Sequence, residues 1–315
     1  MKNKTIKKKY NKKFNSKIRK KNYKNVTLKK HFVKLNCSPK NKNTHKNYTC
    51  FSNADIYKLQ NMWNVRHPDR PIKTKNTKKI WILLKEYYAT ICNKETCWVR
   101  QMTKNSKQEQ ELLDAFAPES PKEWKKNPNE WLSSIDILQV MNQYEKKYKC
   151  FDFLGPSPID YDTHKLYGKC VWEELCHFDL DKHLQKQHNK IGVIFNLDPH
   201  YKGGSHWVSL FINIKNKTIF FFDSTGEQIP NQIKKFVDAV IEQGKQLPTP
   251  INFKFDQNYP VEHQYGNTEC GIYSIFFIIH MLEDKITGHY LKTNILKDDY
   301  IENFRKIYYN QNGDL

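Results

Sequence analysis

Four residues of this chain have the types and order that thiol hydrolysis needs. His206 precedes the apolar run WVSLFINI, Asp223 closes TIFFFDS, and Cys270 opens CGIYSIFFIIHML after a polar loop carrying Gln264. An imidazole beside a carboxylate is held in one orientation and stabilised when protonated, as a general base in acyl transfer must be. A thiol at the head of a helix meets unpaired N–H groups and the positive end of the helix dipole, which favour its thiolate. Next to His206, such a thiol forms a thiolate–imidazolium pair able to attack a carbonyl carbon. The Cys270 backbone N–H and the amide of Gln264, six residues upstream, can then face the oxyanion. Each residue alone has a plainer reading: a packed thiol, or a structural histidine. The ordered set of His-Trp, Asp-Ser and Gln-x5-Cys-Gly is what departs from it.

The elements that must position these residues can be read from hydrophobic pattern. IGVIFN (191–196), WVSLFINI (207–214), TIFFFDS (218–224) and INFKFD (251–256) have the length and the Phe, Ile and Val content of buried strands. The midpoint of His206 and Asp223 falls between Ile214 and Lys215, inside the polar turn NIKNK, so antiparallel pairing returns Asp223 to the edge that holds His206. After Trp131, Ser133 or Ser134 can cap a helix with Ile135, Leu138, Met141 and Tyr144 on one face. A helix from Pro230 to about Gln246 carries Ile233, Phe236, Val237, Val240 and Ile241, and a last helix begins at Cys270. The body from residue 129 is therefore mixed α and β with its sheet in the middle.

Upstream, the chain changes character. It has 315 residues, 53 Lys+Arg, 33 Asp+Glu and a formal charge of +20. Residues 1–50 hold 18 of those bases and no acid, so the remaining residues are close to neutral, with 35 bases and 33 acids. Residues 1–48 are accordingly expected to be a disordered Lys/Asn-rich arm. Such an arm can bind nucleic acid, a membrane or an acidic partner, or serve as an address, or it can be a solvated tail in a Lys/Asn-biased proteome. Residues 49–117 read as a helical accessory domain, with helical spacing over 54–66 and 77–91 and a polar helix near 107–116. Residues 118–128, APESPKEWKKNPN and its surroundings, read as a linker to the domain of 129–315. No run reaches the roughly 18–20 apolar residues of a membrane span, and no secretory h-region precedes the body.

Eight cysteines without a signal segment predict reduced thiols more than a disulfide framework. A zinc site from Cys37, Cys50, Cys92 and Cys97 lacks a short Cys-x2–4-Cys knuckle, and Cys170, Cys176 and His177 read as packing residues. His183, His188, His200, His263 and His280 are expected to be structural or exposed, and Asp160, Asp162, Asp179 and Asp181 surface or capping acids. No metal and no cofactor are expected.

HWVSL, FFFDS and QYGNTECGIYS resemble the Ulp-type cysteine peptidases, which include the adenovirus endopeptidase; the resemblance covers about residues 129–310. It implies an α+β, papain-like fold with the catalytic order His206, Asp223, Cys270 and with Gln264 in the oxyanion hole. Trp131, in WLSS, is similar to the tryptophan of the motif that opens the family's domain, and with Trp207 it would roof a tunnel for a Gly-Gly tail. WNVRHPDRPI, FLGPSPIDYD, CVWEELC and IGVIFNLDPHYKGGSHW resemble the Ulp-like thiol proteases of large cytoplasmic DNA viruses. That resemblance implies cleavage after Gly-Gly or Ala-Gly in viral core precursors, within virions and the host cytoplasm. The alternatives it leaves are a deconjugating isopeptidase acting on SUMO- or ubiquitin-like tails, and a virion protein that uses the arm to hold nucleic acid.

Overall fold

The computed structural model describes residues 30–41, 47–103 and 107–311. Its centre is a six-stranded mixed sheet built from β1 (Phe151–Phe153), β2 (Ser157–Pro158), β3 (Lys190–Asn196), β4 (Trp207–Asn213), β5 (Thr218–Phe222) and β6 (Lys254–Gln257). The spatial order is β1-β3-β4-β5-β6, with β2 also pairing β3; β3, β4 and β5 are antiparallel and the flanking pairs parallel.

The central strands are apolar at nearly every position because helices cover both faces. Trp207, Phe211, Phe220 and Phe222 point to one side, against α5 (Ser134–Lys147) and α9 (Cys270–Leu282). Val208, Leu210, Ile212, Ile219 and Phe221 point to the other, against Ile233, Phe236, Val237 and Val240 of α8 (Asn231–Gln246). α9 is buried all round, from Ile272 and Tyr273 through Phe276, Phe277 and Leu282. Each such side chain contributes about 1.5–3 kcal/mol of apolar burial. This helix therefore fixes the position of the cysteine at its head. Gly271 lets α9 approach the Trp131 segment, since a Cβ there would stand 3.1 Å from the Leu132 side chain.

The hairpin register differs from the sequence estimate by one pair. Ser209 faces Phe222 and Asn213 faces Thr218, so Asp223 lies opposite Val208, diagonal to His206. The diagonal neighbour is still within reach of long side chains on one face. The face expected for α5 is also rotated. Ile137, Val140, Met141 and Tyr144 are buried, while Ile135 and Leu138 are exposed. Both stripes have helical spacing, and only the packing against α9 selects between them. INFKFD yields a strand only from Lys254, because Ile251 instead closes α8 through its N–H to the Gly244 carbonyl.

Four helices, α1 (Asn53–Arg66), α2 (Thr77–Tyr87), α3 (Glu95–Thr103) and α4 (Lys107–Leu113), pack around Phe51, Trp63, Trp81, Trp98 and Phe116. The disordered arm drawn through residue 48 is corrected here. Residues 30–41 are ordered against this cluster, with Leu35 buried and Cys37 bridged to Phe116. Asn36 exchanges hydrogen bonds with Asn310 near the far end of the chain (2.6 and 3.1 Å). Residues 1–29 and 42–46 lie outside the described residues.

Residues 118–128 are not a free linker either. Ser120 donates to the Asn310 carbonyl, and Trp124 is buried against Tyr309. A lone tryptophan among prolines and lysines gives no period, so its burial was not readable. The expectation of reduced thiols is likewise corrected for six cysteines. Cys37–Cys50, Cys92–Cys97 and Cys170–Cys176 are disulfides, and among the described residues Cys150 and Cys270 are free. The first of these follows from the ordered N-terminal segment, which lays Cys37 beside Cys50. No helix of the described residues is long and apolar enough to cross a membrane.

Candidate active site

The structure brings His206, Asp223 and Cys270 together where β4 begins, β5 ends and α9 starts. The His206 Nε2 atom lies 2.7 Å from Asp223 Oδ1, and the Cys270 thiol is near enough to the imidazole to act on its pKa. With Nε2 turned to the carboxylate, Nδ1 is the nitrogen left for a partner. Burial by itself would lower the pKa of His206. The hydrogen bonds and negative charge of Asp223 and Cys270 outweigh it and raise the pKa to about 10. The imidazole in this setting holds its proton through neutral pH.

Asp223 is held on every side. Its oxygen Oδ1 accepts from the Thr225 N–H (2.9 Å) and hydroxyl (2.8 Å) as well as facing His206. Its backbone N–H donates to Asn258 Oδ1 (2.9 Å), and its carbonyl accepts from Asn258 Nδ2 (2.7 Å). Gly226, at φ 74°, makes the turn that follows possible, since a Cβ there would sit 2.8 Å from the backbone of Val261 and Glu262. With three contacts on Oδ1 and both backbone groups tied to Asn258, the carboxylate is fixed in place beside the imidazole.

Gln264 is buried beside them. Its Oε1 accepts from the Ser224 hydroxyl (2.7 Å) and its Nε2 donates to the Gly266 carbonyl (2.9 Å). One amide hydrogen is thereby used, and the second remains for an oxyanion. α9 has no side-chain cap at its N-terminus, where Glu269 takes the N-cap position. The backbone N–H groups of its first turn are thus not taken up by a cap residue.

Trp131 and Trp207 both line a cleft of 660 Å³. Trp131 is 39% exposed, whereas Trp207 is 7% exposed and donates its indole N–H to the Leu132 carbonyl (3.1 Å). Trp207 therefore pins the Trp131 segment as well as lining the cleft. Pro158, Trp172 and His200 also line it, as do Gly204 and Trp207, which flank Ser205 and His206 in the chain. Ser133 caps α5 in a reciprocal capping box with Asp136, which fixes the chain just after Trp131.

Several supporting residues were not found from sequence. Glu269 and Arg305, both buried, form a bidentate ion pair (2.9 and 3.1 Å) directly before Cys270. Arg305 also donates to the Glu130 carbonyl (2.8 Å) and the Thr268 carbonyl (3.0 Å), and its guanidinium lies over Trp124. One side chain thus ties the Trp131 segment to the Cys270 loop. Asp298 accepts from the N–H groups of Tyr265 and Gly266 (3.0 and 2.8 Å), holding the loop that carries Gln264. Only the acid directly preceding Cys270 offered a hint of this arrangement.

Comparison with known proteins agrees with this geometry. Residues 181–314 match the C-terminal catalytic domain of the Ulp1 protease family. A candidate thiol protease of Acanthamoeba polyphaga mimivirus is 33% identical over 202 residues, which is 63% of this chain and 61% of that relative's length. A cysteine protease of African swine fever virus is 24% identical over 255 residues, covering 77% of this chain and 92% of the relative. The crystal structure of an African swine fever virus protease superposes with a TM-score of 0.62 at 18% identity, over 87% of this chain and 95% of that one. The fold is thus shared with the African swine fever virus protease, and residues 181–314, which hold His206, Asp223 and Cys270, are similar to the catalytic domain of the Ulp1 protease family.

Proposed function

We propose that the chain is a cysteine endopeptidase that cleaves after Gly-Gly or Ala-Gly and processes viral structural precursors in virions and the host cytoplasm. The observation that carries the reading is the grouping of Cys270, His206 and Asp223, with His206 adjoining Trp207 of a cleft that Trp131 also lines. Cys270 is the nucleophile. His206 holds the proton taken from the thiol and later donates it to the departing amine, and Asp223 keeps the imidazolium oriented. Gln264 and the Cys270 backbone N–H stabilise the oxyanion.

The indoles of Trp131 and Trp207 leave space for a backbone with hardly any side chain, which supports glycine at the residues nearest the cut. This preference is common to a viral precursor and to a ubiquitin-like tail. The test is to incubate the purified chain separately with Gly-Gly-containing precursor polypeptides and with SUMO- and ubiquitin-tail fluorogenic substrates. Selective cleavage of the precursors, lost in Cys270→Ser, supports the reading. Turnover of the tails alone would make the chain a deconjugating isopeptidase.

The basic residues 1–29 are proposed to place the enzyme on nucleic acid rather than to take part in cleavage. Truncating them is then expected to leave peptide cleavage unchanged and to remove a salt-sensitive DNA affinity. Equal DNA affinity with and without them would reject that role.

A further inference from the structure

At the end of the sheet away from Cys270, three side chains from separate elements converge. β1 supplies Asp152, the helix α7 (Leu180–Gln185) supplies His183, and His188 lies just before β3. The chain leaves α7 through a Schellman turn. The His188 N–H donates to the His183 carbonyl and the Gln187 N–H to the Leu184 carbonyl, both at 2.9 Å, with Gln187 at φ 63°. That turn brings together side chains five residues apart, a contact that is commonly apolar. Here it joins two imidazoles.

Both imidazoles turn Nδ1 toward one oxygen. His183 Nδ1 is 2.9 Å and His188 Nδ1 3.2 Å from Asp152 Oδ2, and the three atoms lie within 4.8 Å of one another. Both nitrogens are closed off from solvent, yet neither contact has the alignment of a hydrogen bond. Buried ring nitrogens are normally satisfied, so two in one cluster call for an explanation. Bonds of about 2.0–2.2 Å to one divalent ion would set neighbouring ligand atoms about 3.0–3.4 Å apart, close to the separations found.

We propose that Asp152, His183 and His188 bind a divalent transition-metal ion of the zinc class through two imidazole nitrogens and one carboxylate oxygen. The Phe178 ring stacks on His183 at 4.9 Å and restricts its rotation. The Glu145 carboxylate, which accepts from the N–H of Phe153 next to Asp152 (2.8 Å), is placed to support that ligand or to add an oxygen. Asp152 pairs with Ile191 in β3, five residues from Asn196, which pairs with Trp207. The site therefore stands about 17 Å from the active end of the strand. Its role is to clamp β1, α7 and the start of β3, not to touch the reacting atoms. A second group, His164, Cys170 and Cys176, also has ligand atoms close together, but its two sulfurs are bonded to each other.

The test uses the full chain as Cys270→Ser, stripped with chelator and titrated with Co²⁺ and then Zn²⁺. The expected result is a single equivalent of Co²⁺ with d–d absorption and no thiolate charge-transfer band, displaced by Zn²⁺, which also raises Tm. His183→Ala/His188→Ala should weaken Zn²⁺ binding by more than about 100-fold. Asp152→Asn, which keeps the size of the side chain, should weaken it in the same direction with an unchanged circular dichroism spectrum. Zn²⁺ affinity within about threefold of the parent in both variants, well under the loss expected for removed ligands, would overturn the proposal. So would a thiolate-to-cobalt band that persists in them, or a parent chain that binds no metal and instead holds Asp152 as a plain ion pair with the two histidines.

Discussion

Where β4 begins, one imidazole has one carboxylate to itself; at the opposite end of the sheet, two imidazoles share one. Asp223 has its side chain 2% exposed, and Thr225 steadies the same oxygen that faces His206. Asp152 is 21% exposed at the side chain and faces His183 and His188 equally. The imidazole of His206 also has beside it a thiol at the head of a thirteen-residue buried helix. Cys150, the other free thiol among the described residues, follows α5 and heads no helix. A histidine–aspartate contact is therefore not a sign of catalysis by itself. The helix end that delivers a nucleophile to the imidazole makes the difference.

The largest effect should separate the two ends. Cys270→Ala is expected to lower kcat by about 10⁴-fold or more, as loss of a covalent nucleophile does. His183→Ala should leave kcat/KM within about threefold wherever the chain is folded, because its site stands far from the reacting atoms. Steady-state cleavage of a Gly-Gly peptide measures both. A His183→Ala loss as deep as that of Cys270→Ala would abolish the distinction between the two ends.

A smaller effect concerns what holds the nucleophile in place. Arg305→Ala strips Glu269 of its buried partner and should destabilise the chain by about 3–5 kcal/mol in urea unfolding. Removing both charges in Glu269→Gln/Arg305→Met should cost clearly less, since no unpaired charge stays buried. Equal losses in the single and double variants would show that Arg305 acts through its contacts to Glu130, Thr268 and Trp124 instead.

How far the sequence could be read follows the same division. His206, Asp223 and Cys270 were legible because each sits where polar loop meets apolar strand or helix, and Gln264 because it lies in the loop six residues before Cys270. Glu269 and Arg305, 36 residues apart, and Asn258 beneath Asp223 have no period and no motif; only the fold brings them together. His183 and His188 read from sequence as structural or exposed, and their five-residue spacing matches no helical metal motif. It acquires meaning only from the turn at Gln187 and from a strand more than thirty residues upstream. The strands β3 to β5 declared themselves by composition. The packing of residues 30–41 and 118–128 did not, since it depends on single side chains such as Leu35 and Trp124.

The last contrast is between two histidines near the active site, and it sets a pH window. His206 has its pKa raised to about 10, so its contribution to stability is fully present below its unfolded pKa of 6.5 and is lost as pH rises through about 10. His263 is fully buried under Phe222, with Nδ1 accepting from the Leu296 N–H (3.1 Å), and burial lowers its pKa to about 4. Below pH 6.5 the unfolded chain takes up a proton that folded His263 refuses until about pH 4, so stability falls over that acid range. The difference of about 2.5 units corresponds to about 3 kcal/mol. Urea unfolding between pH 4 and 7 should show a flatter acid limb in His263→Gln than in the parent. On the alkaline side, the fall in kcat/KM should move to lower pH in Asp223→Asn, because the imidazolium loses the charge that holds its proton. An acid limb unchanged in His263→Gln would assign that loss of stability to the carboxylates instead.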